Sequence, residues 1–389
     1  MSEIIISKII CDGCKVITKL LVDGKEDYIH TVVSPNMQQY LTVDRCDTFV
    51  VGLMYFAMSN GYDFKSDIPI SEDLYYNLDN HFIDAIAFEG SGLHRTKLNI
   101  VTTAKCEHTG NIVATGISCG IDCLHTLCVH EKSHIQSFRI THLAFYNVGS
   151  HQTGSGSEHD RKLYEGRYNL CKSFAEEYGY TFYTVSSDIH DFIQRHGTYS
   201  HVSNHSYMAA FCILLLQKGI SRYYYSAGYP YIDFRTYKMH TNEELDSAMY
   251  DLLTFYTISI GELKVYSAGG SIKRIDKTRL LATYKPAQKY LNVCVREPKN
   301  DGTCFKCIRT LLSLDATGNI NDFKEVFDVN NYKKCKDKYL RQTWLAATLY
   351  HDELSKEILP LYKKELTLSF KFRAILFKMV TAVRKRIMV

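Results

Sequence analysis

The sequence predicts an α/β fold, a doubly wound parallel sheet, with a small N-terminal α+β module over residues 1–105 and a helical C-terminal region over residues 316–389. Three observations lead there. From about residue 108, β-prone runs alternate with helix-periodic segments, and parallel strands require helical crossovers of this kind. The first of these strands ends in small residues, Ser118, Cys119 and Gly120, that run straight into a helix. Two more small polar loops, 147–150 and 226–228, follow later strands, and ligands of doubly wound sheets bind at the carboxyl ends of strands.

The elements follow in order. Residues 4–10, 16–22 and 28–33 are β-prone, and Asp12-Gly13 and Asp23-Gly24 between them are hairpin turn signals. Cys11 and Cys14 bracket the first turn and read as flanking thiols; a thioredoxin-type redox pair needs a following helix, and residues 15–21 are β-prone instead. Residues 47–58 and 71–87 read as helices. Ser71 is expected to cap the second, with Glu72 and Asp73 in its first turn and Leu74, Leu78, Ile83 and Ile86 along its apolar face. Region 106–315 then runs strand 112–117, helix 122–130, strand 140–148, helix 162–179, strand 181–185, helix 206–219 and strand 223–226. Residues 151–157 are short and polar, a candidate lid. The last segment mixes Lys371, Arg373, Lys378, Arg384, Lys385 and Arg386 with apolar residues. It reads as an amphipathic packing helix with a solvated basic face, in preference to a membrane- or RNA-contacting one.

Composition narrows the class. No apolar run approaches the roughly 18–20 residues that span a bilayer, and residues 208–216 are too short. The N-terminus lacks the order of a signal peptide, so the thirteen cysteines read as reduced thiols plus one metal site, and a cytoplasmic location is expected. A net charge of +4 does not by itself argue for nucleic acid.

The loop at 118–123 (Ser-Cys-Gly-Ile-Asp-Cys) has the layout of a phosphate site. Gly120 lets backbone approach a ligand, Ser118 offers a hydroxyl, and the helix behind them aims N–H groups and its positive dipole end at an anion. Asp122 would repel phosphate unless a divalent cation stood between them, which suggests Mg²⁺. The chain has no G-x-x-x-x-G-K-[ST] and no G-x-G-x-x-G after a strand. Downstream, Cys304 and Cys307 form a C-x-x-C knuckle that Cys294 is placed to join. Three thiolates suit Zn²⁺, with Cys335 or a histidine as candidates for the fourth ligand.

The loop resembles the S-G-G-x-D-S loop of the PP-loop ATP pyrophosphatases, the adenine nucleotide α-hydrolase-like superfamily. Ser118, Gly120 and Asp122 match, while Cys119 and Cys123 replace the first Gly and the last Ser. The cysteine region, with Lys306 and Arg309, and the upstream basic run 272–277 resemble the corresponding parts of 7-cyano-7-deazaguanine synthase-like proteins. The resemblance covers residues 108–315 and implies a nucleotide-binding domain over 106–315 that cleaves ATP to AMP and pyrophosphate. Such a ligase would adenylate a carboxylate or carbonyl oxygen for attack by a nitrogen nucleophile.

In that reading Ser118, Gly120 and the amides of Cys119, Ile121, Asp122 and Cys123 hold the pyrophosphate, and Asp122 binds Mg²⁺. Ala144, Phe145, Asn147 and Gly149 cradle adenosine, and Gly228 closes the other wall. Ser118, Asp122 and Lys277 are the catalytic candidates, with Arg274 beside Lys277. A thiolating variant would use Cys119 or Cys123, their pKa lowered at a helix N-terminus. The alternatives are a nucleotide-binding scaffold with a retired loop and a reductase that shares the loop without cleaving ATP. The partners are ATP and an unidentified acceptor; a homodimer is a candidate assembly.

Overall fold

The computed structural model describes every residue except 1, 105, 132, 152–157, 241–242 and 388–389, and for residues 380–387 it describes the backbone alone. The candidate lid at 151–157 therefore lies, apart from His151, outside the described residues.

Ten strands form one sheet. They are β1 (Ser2–Asp12), β2 (Lys15–Val22), β3 (Lys25–Val33), β4 (Tyr62–Ser71), β5 (Leu98–Thr103), β6 (Ile112–Gly116), β7 (His142–Asn147), β8 (Thr181–Ser187), β9 (Ile220–Ser226) and β10 (Lys264–Ala268). Their order is β10-β9-β6-β7-β8-β3-β2-β1-β4-β5. The five strands β10 to β8 are parallel, the arrangement expected of a doubly wound sheet. The Asp-Gly turns join β1, β2 and β3 into an antiparallel meander, as the turn signals predict.

The N-terminal strands do not form a sheet of their own. β3 pairs antiparallel with β8 (Thr31 with Ser187, Val33 with Val185), so the sheet runs straight through the boundary expected near residue 105. β4, β5 and β10 carry no clear signal in the sequence. In β4 the alternation is broken by Pro69, which has no N–H to give a ladder, and the pairing with β5 shifts between Ser66 and Ile70 to accommodate it. Ser71 ends this strand. Its hydroxyl and its N–H both go to the buried carboxylate of Asp47, so it does not supply the expected side-chain cap to the helix that follows.

Helices cover both faces of the parallel half. Alternation along the strands sends Ala114, Ala144 and Tyr223 to one core and Val113, Phe145 and Tyr224 to the other. The helix His201–Leu215 fills the first core; twelve of its fifteen residues are buried, so it is apolar all round because protein surrounds it. The second core is closed by the helices Ile121–Glu131 and Glu158–Glu177, the cysteine segment and the C-terminal helices. Among the described residues, no helix is long and apolar enough to cross a membrane.

Candidate anion site and candidate metal centre

From β6 the chain steps one way to β7 and β8, then crosses back to place β9 and β10 on the opposite side. The direction of winding therefore reverses between β6 and β9. At such a switch point the loops after the two strands diverge and leave a crevice at their carboxyl ends. The loop at 117–120 leaves β6 there, directly before the helix Ile121–Glu131. Its backbone is pinned on both sides. The Ile117 N–H donates to the Ala144 carbonyl at 2.9 Å, and the Cys119 carbonyl accepts from the Asn292 N–H at 2.8 Å. Ser118 Oγ accepts from the Gly120 N–H at 3.3 Å, which holds the loop tight against the helix start.

The left-handed residue of this loop is Cys119, at φ 55°, rather than Gly120. The Cys119 side chain is fully buried, its sulfur 4.0 Å from that of Cys171. It therefore packs into the core and leaves the loop's outer side clear. Burial raises the Cys119 thiol well above its ordinary pKa and pushes Cys123 up to about 11. The lowered thiol pKa expected at this helix N-terminus is thus overturned: desolvation outweighs the helix dipole.

Asp122, in the first turn, is 17% exposed and carries a cation on each oxygen. Arg274 Nη1 sits 3.0 Å from Oδ2 and Lys277 Nζ 3.1 Å from Oδ1. Burial works to raise this carboxyl, but Arg274 and Lys277, with Lys306 behind them, outweigh it and hold the pKa below the usual carboxylate value. Lys277 is 1% exposed and also donates to the Ala227 carbonyl at 2.7 Å, which ties the β9 loop to the β6 loop. The expectation that Asp122 alone holds Mg²⁺ does not fit this donor set. Both oxygens of this carboxylate are already in ion pairs, so Asp122 itself offers a hard dication no free oxygen.

Other cations gather here. Lys306 makes no hydrogen bond or ion pair among the described residues, and its burial, with Arg274 and Arg309 beside it, lowers its ammonium to about 8. Arg309 is paired with Asp352, Nη1 lying 3.0 Å from both carboxylate oxygens. Arg274, Lys306 and Arg309 line one cleft. His201 begins the helix His201–Leu215 with its side chain exposed; desolvation, with His205, Lys306 and His151 nearby, lowers its pKa. One turn on, His205 Nε2 lies 2.7 Å from Asp246 Oδ1, and its Nδ1 lies 2.9 Å from the Tyr225 hydroxyl. No motif spacing marks these histidines, because they come from a buried helix and find Asp246 only through the fold.

The residues expected around adenosine divide. Ala144 and Phe145 are buried within β7, and Phe145 stacks on His151 at 4.8 Å, so neither side chain offers the crevice a free face. Asn147 donates to Ser186 Oγ at 3.1 Å at the carboxyl end of the strand. Gly149 has φ +107°, and a Cβ there would lie 2.5 Å from the Tyr199 hydroxyl; the bend after β7 therefore requires glycine. Gly228 has room, with only Ala248 at 3.8 Å from a built Cβ.

Asp251 stands near Lys277. It is buried, accepts from Ser267 Oγ at 2.8 Å, and its other oxygen has no hydrogen-bond partner among the described residues. Burial raises its carboxyl to about 6. The folded state thus favours the protonated acid. The stability this contributes is full below about pH 4 and is lost as pH rises through about 6. Asp251→Asn is expected to stabilise the protein near neutral pH by about 2 kcal/mol and to flatten the slope between those values. Urea unfolding of both proteins across that pH range measures it; an unchanged slope would refute the assignment.

The cysteine segment builds a second centre. Cys294, Asp301, Cys304 and Cys307 bring one ligand atom each to within 4.8 Å of one another, a set that could hold a metal ion such as zinc. Asp301 is the fourth group, in place of the expected Cys335 or histidine. Cys335 lies on the helix Val329–Leu349, where its sulfur is 4.0 Å from Asn331 Oδ1. Asp301 also accepts from the Cys304 N–H at 3.0 Å, and the Cys304 sulfur accepts from the Cys307 N–H at 3.4 Å, capping the helix Phe305–Ala316. The Cys307 thiol holds Cys304 below its ordinary pKa, and Cys304 in turn pushes Cys307 up.

No family model matches the chain. Curated proteins and solved structures likewise return no match. The site is therefore read from its own geometry: a loop at the switch point, a helix N-terminus behind it, and Arg274, Lys277 and Lys306 around one carboxylate. Arg167 ties the cysteine segment to the bend after β7, its Nη2 donating to the Cys294 carbonyl at 2.8 Å while Nη1 lies 3.3 Å from His151 Nδ1.

Proposed function

We propose that the protein binds ATP in the crevice between β6 and β9 and cleaves it between the α- and β-phosphates, releasing pyrophosphate as it adenylates an acceptor oxygen for attack by a nitrogen nucleophile. The observation that carries this reading is the cluster of Arg274, Lys277 and Lys306 at the start of the helix Ile121–Glu131. Cations and helix N–H groups converging in a low-dielectric cleft suit a leaving group that gains charge as the α,β bond breaks.

Each residue has a task in this scheme. Ser118, Gly120 and the amides of residues 121–123 orient the β- and γ-phosphates, and Asp122 holds Arg274 and Lys277 in place. Lys306, which makes no hydrogen bond or ion pair among the described residues, supplies positive charge to the phosphates. An acceptor oxygen attacks the α-phosphorus in line, and the pyrophosphate leaves against these cations. Holding the reacting atoms in that geometry carries much of the rate. A zinc ion on Cys294, Asp301, Cys304 and Cys307 would be structural, clamping the segment that presents Lys306. The buried thiols of Cys119 and Cys123 give no support to the thiolating variant.

Incubation with ATP, Mg²⁺, ammonia and a panel of carboxylic acids, with pyrophosphate as the readout, tests the proposal. Pyrophosphate release that falls about a hundredfold in Lys306→Met is the expected result. Tight ATP binding with no release across the panel would leave the nucleotide-binding scaffold as the reading, and absence of nucleotide binding would sink both.

A further inference from the structure

Over residues 368–379, where its side chains are described, the C-terminal helix Leu368–Ile387 has two apolar faces, and one of them packs against the protein. Phe370 and Ala374 face inward and are 2% and 0% exposed, packed into the second core with the partly buried Phe377. On the opposite side Leu368, Phe372, Ile375, Leu376 and Met379 stand 85%, 69%, 49%, 50% and 61% exposed. At 3.6 residues per turn, these five side chains fall within an arc of about 100°. Packing against the body of the protein does not account for them. The sequence-level expectation of a packing helix with a purely solvated outer face holds only for the inward side.

Charge decides what fits this face. Residues 363–386 carry eight Lys and Arg against a single acid, Glu365, so this segment is far more basic than the chain's overall +4. A second copy of the chain would set one strongly basic helix against another. RNA would use the cations but has no need of five exposed apolar side chains. An apolar stripe with basic flanks matches the boundary of a bilayer that carries anionic headgroups, where the stripe enters the acyl edge and the cations meet phosphate and carboxylate. We propose that this helix docks the protein on anionic membrane surfaces, lying in the interface plane without spanning it. The inference is independent of the reading of the ATP crevice.

Sedimentation of the full chain with phosphatidylcholine vesicles, with and without phosphatidylserine, tests it. The chain is expected to pellet with the phosphatidylserine vesicles, to remain in solution with the neutral ones, and to be released by raised salt. The double variant Phe372→Glu, Leu376→Glu alters two exposed side chains and is expected to bind those vesicles at least about tenfold more weakly, with its urea unfolding unchanged. Absence of binding to anionic vesicles overturns the proposal, as does equal binding by the double variant. Self-association of the wild-type chain without lipid, or retention of RNA that the double variant loses, assigns the face to those partners and overturns it equally.

Discussion

Replacing Cys304 by serine is expected to abolish metal binding at the four-residue cluster and to lower stability markedly. Cys304 offers its sulfur to the four-residue cluster, caps the helix Phe305–Ala316, and is fully buried. A structural zinc site of this kind contributes on the order of 10 kcal/mol of apparent binding free energy, comparable to the whole stability of a domain. The loss should therefore reach several kcal/mol and appear as a large fall in Tm, matched by chelation of the wild type. Cys335→Ser, outside the cluster, should keep both metal and Tm. Elemental analysis checks the assignment, and metal missing from wild type and variant alike would remove it. The effect should extend to nucleotide binding, because Lys306 lies between Cys304 and Cys307 and the Asn292 N–H holds the loop carbonyl of Cys119.

The second large effect is expected of Asp122→Asn. The amide keeps the shape but removes the anion between Arg274 and Lys277, and Lys277 is 1% exposed. A buried cation deprived of its partner costs about 3–5 kcal/mol. In the wild type the carboxyl pKa is depressed, so this contribution is present above about pH 4 and disappears on acidification; the variant should lack that acid-side loss. In the proposed reading ATP would bring anionic oxygens to the same cations, so saturating nucleotide should raise the Tm of the variant more than that of the wild type. Equal shifts would show that the phosphates do not reach Lys277.

The alternation of strand and helix after residue 108 was legible because β6 and β7 are apolar runs, β8 and β9 are rich in β-prone Tyr, Phe, Val and Ile, and small polar residues follow β6, β7 and β9. The loop between β6 and the helix Ile121–Glu131 was legible as a loop because Ser118, Gly120 and Asp122 are local in sequence. What stayed hidden depends on long-range pairing. Pro69 masked β4, and nothing near residues 31–33 announces that they will pair with residues 185–187. Asp301 was missed because a carboxylate three residues before a cysteine is ordinary until the fold brings it within reach of Cys294. His205 and Asp246 are 41 residues apart and meet only across the crevice. Cys119 looked out of place where the loops it resembles have glycine; its backbone is indeed left-handed, but its side chain finds room inward beside Cys171.

The pairing of β3 with β8 carries a practical consequence. A chain shortened to begin at residue 106 would leave β8 as a bare edge whose backbone groups, along residues 185–187, had lost their neighbours. Open edges of that kind recruit other strands. The first hundred residues therefore act as an intramolecular shield, and cutting them away is expected to promote aggregation.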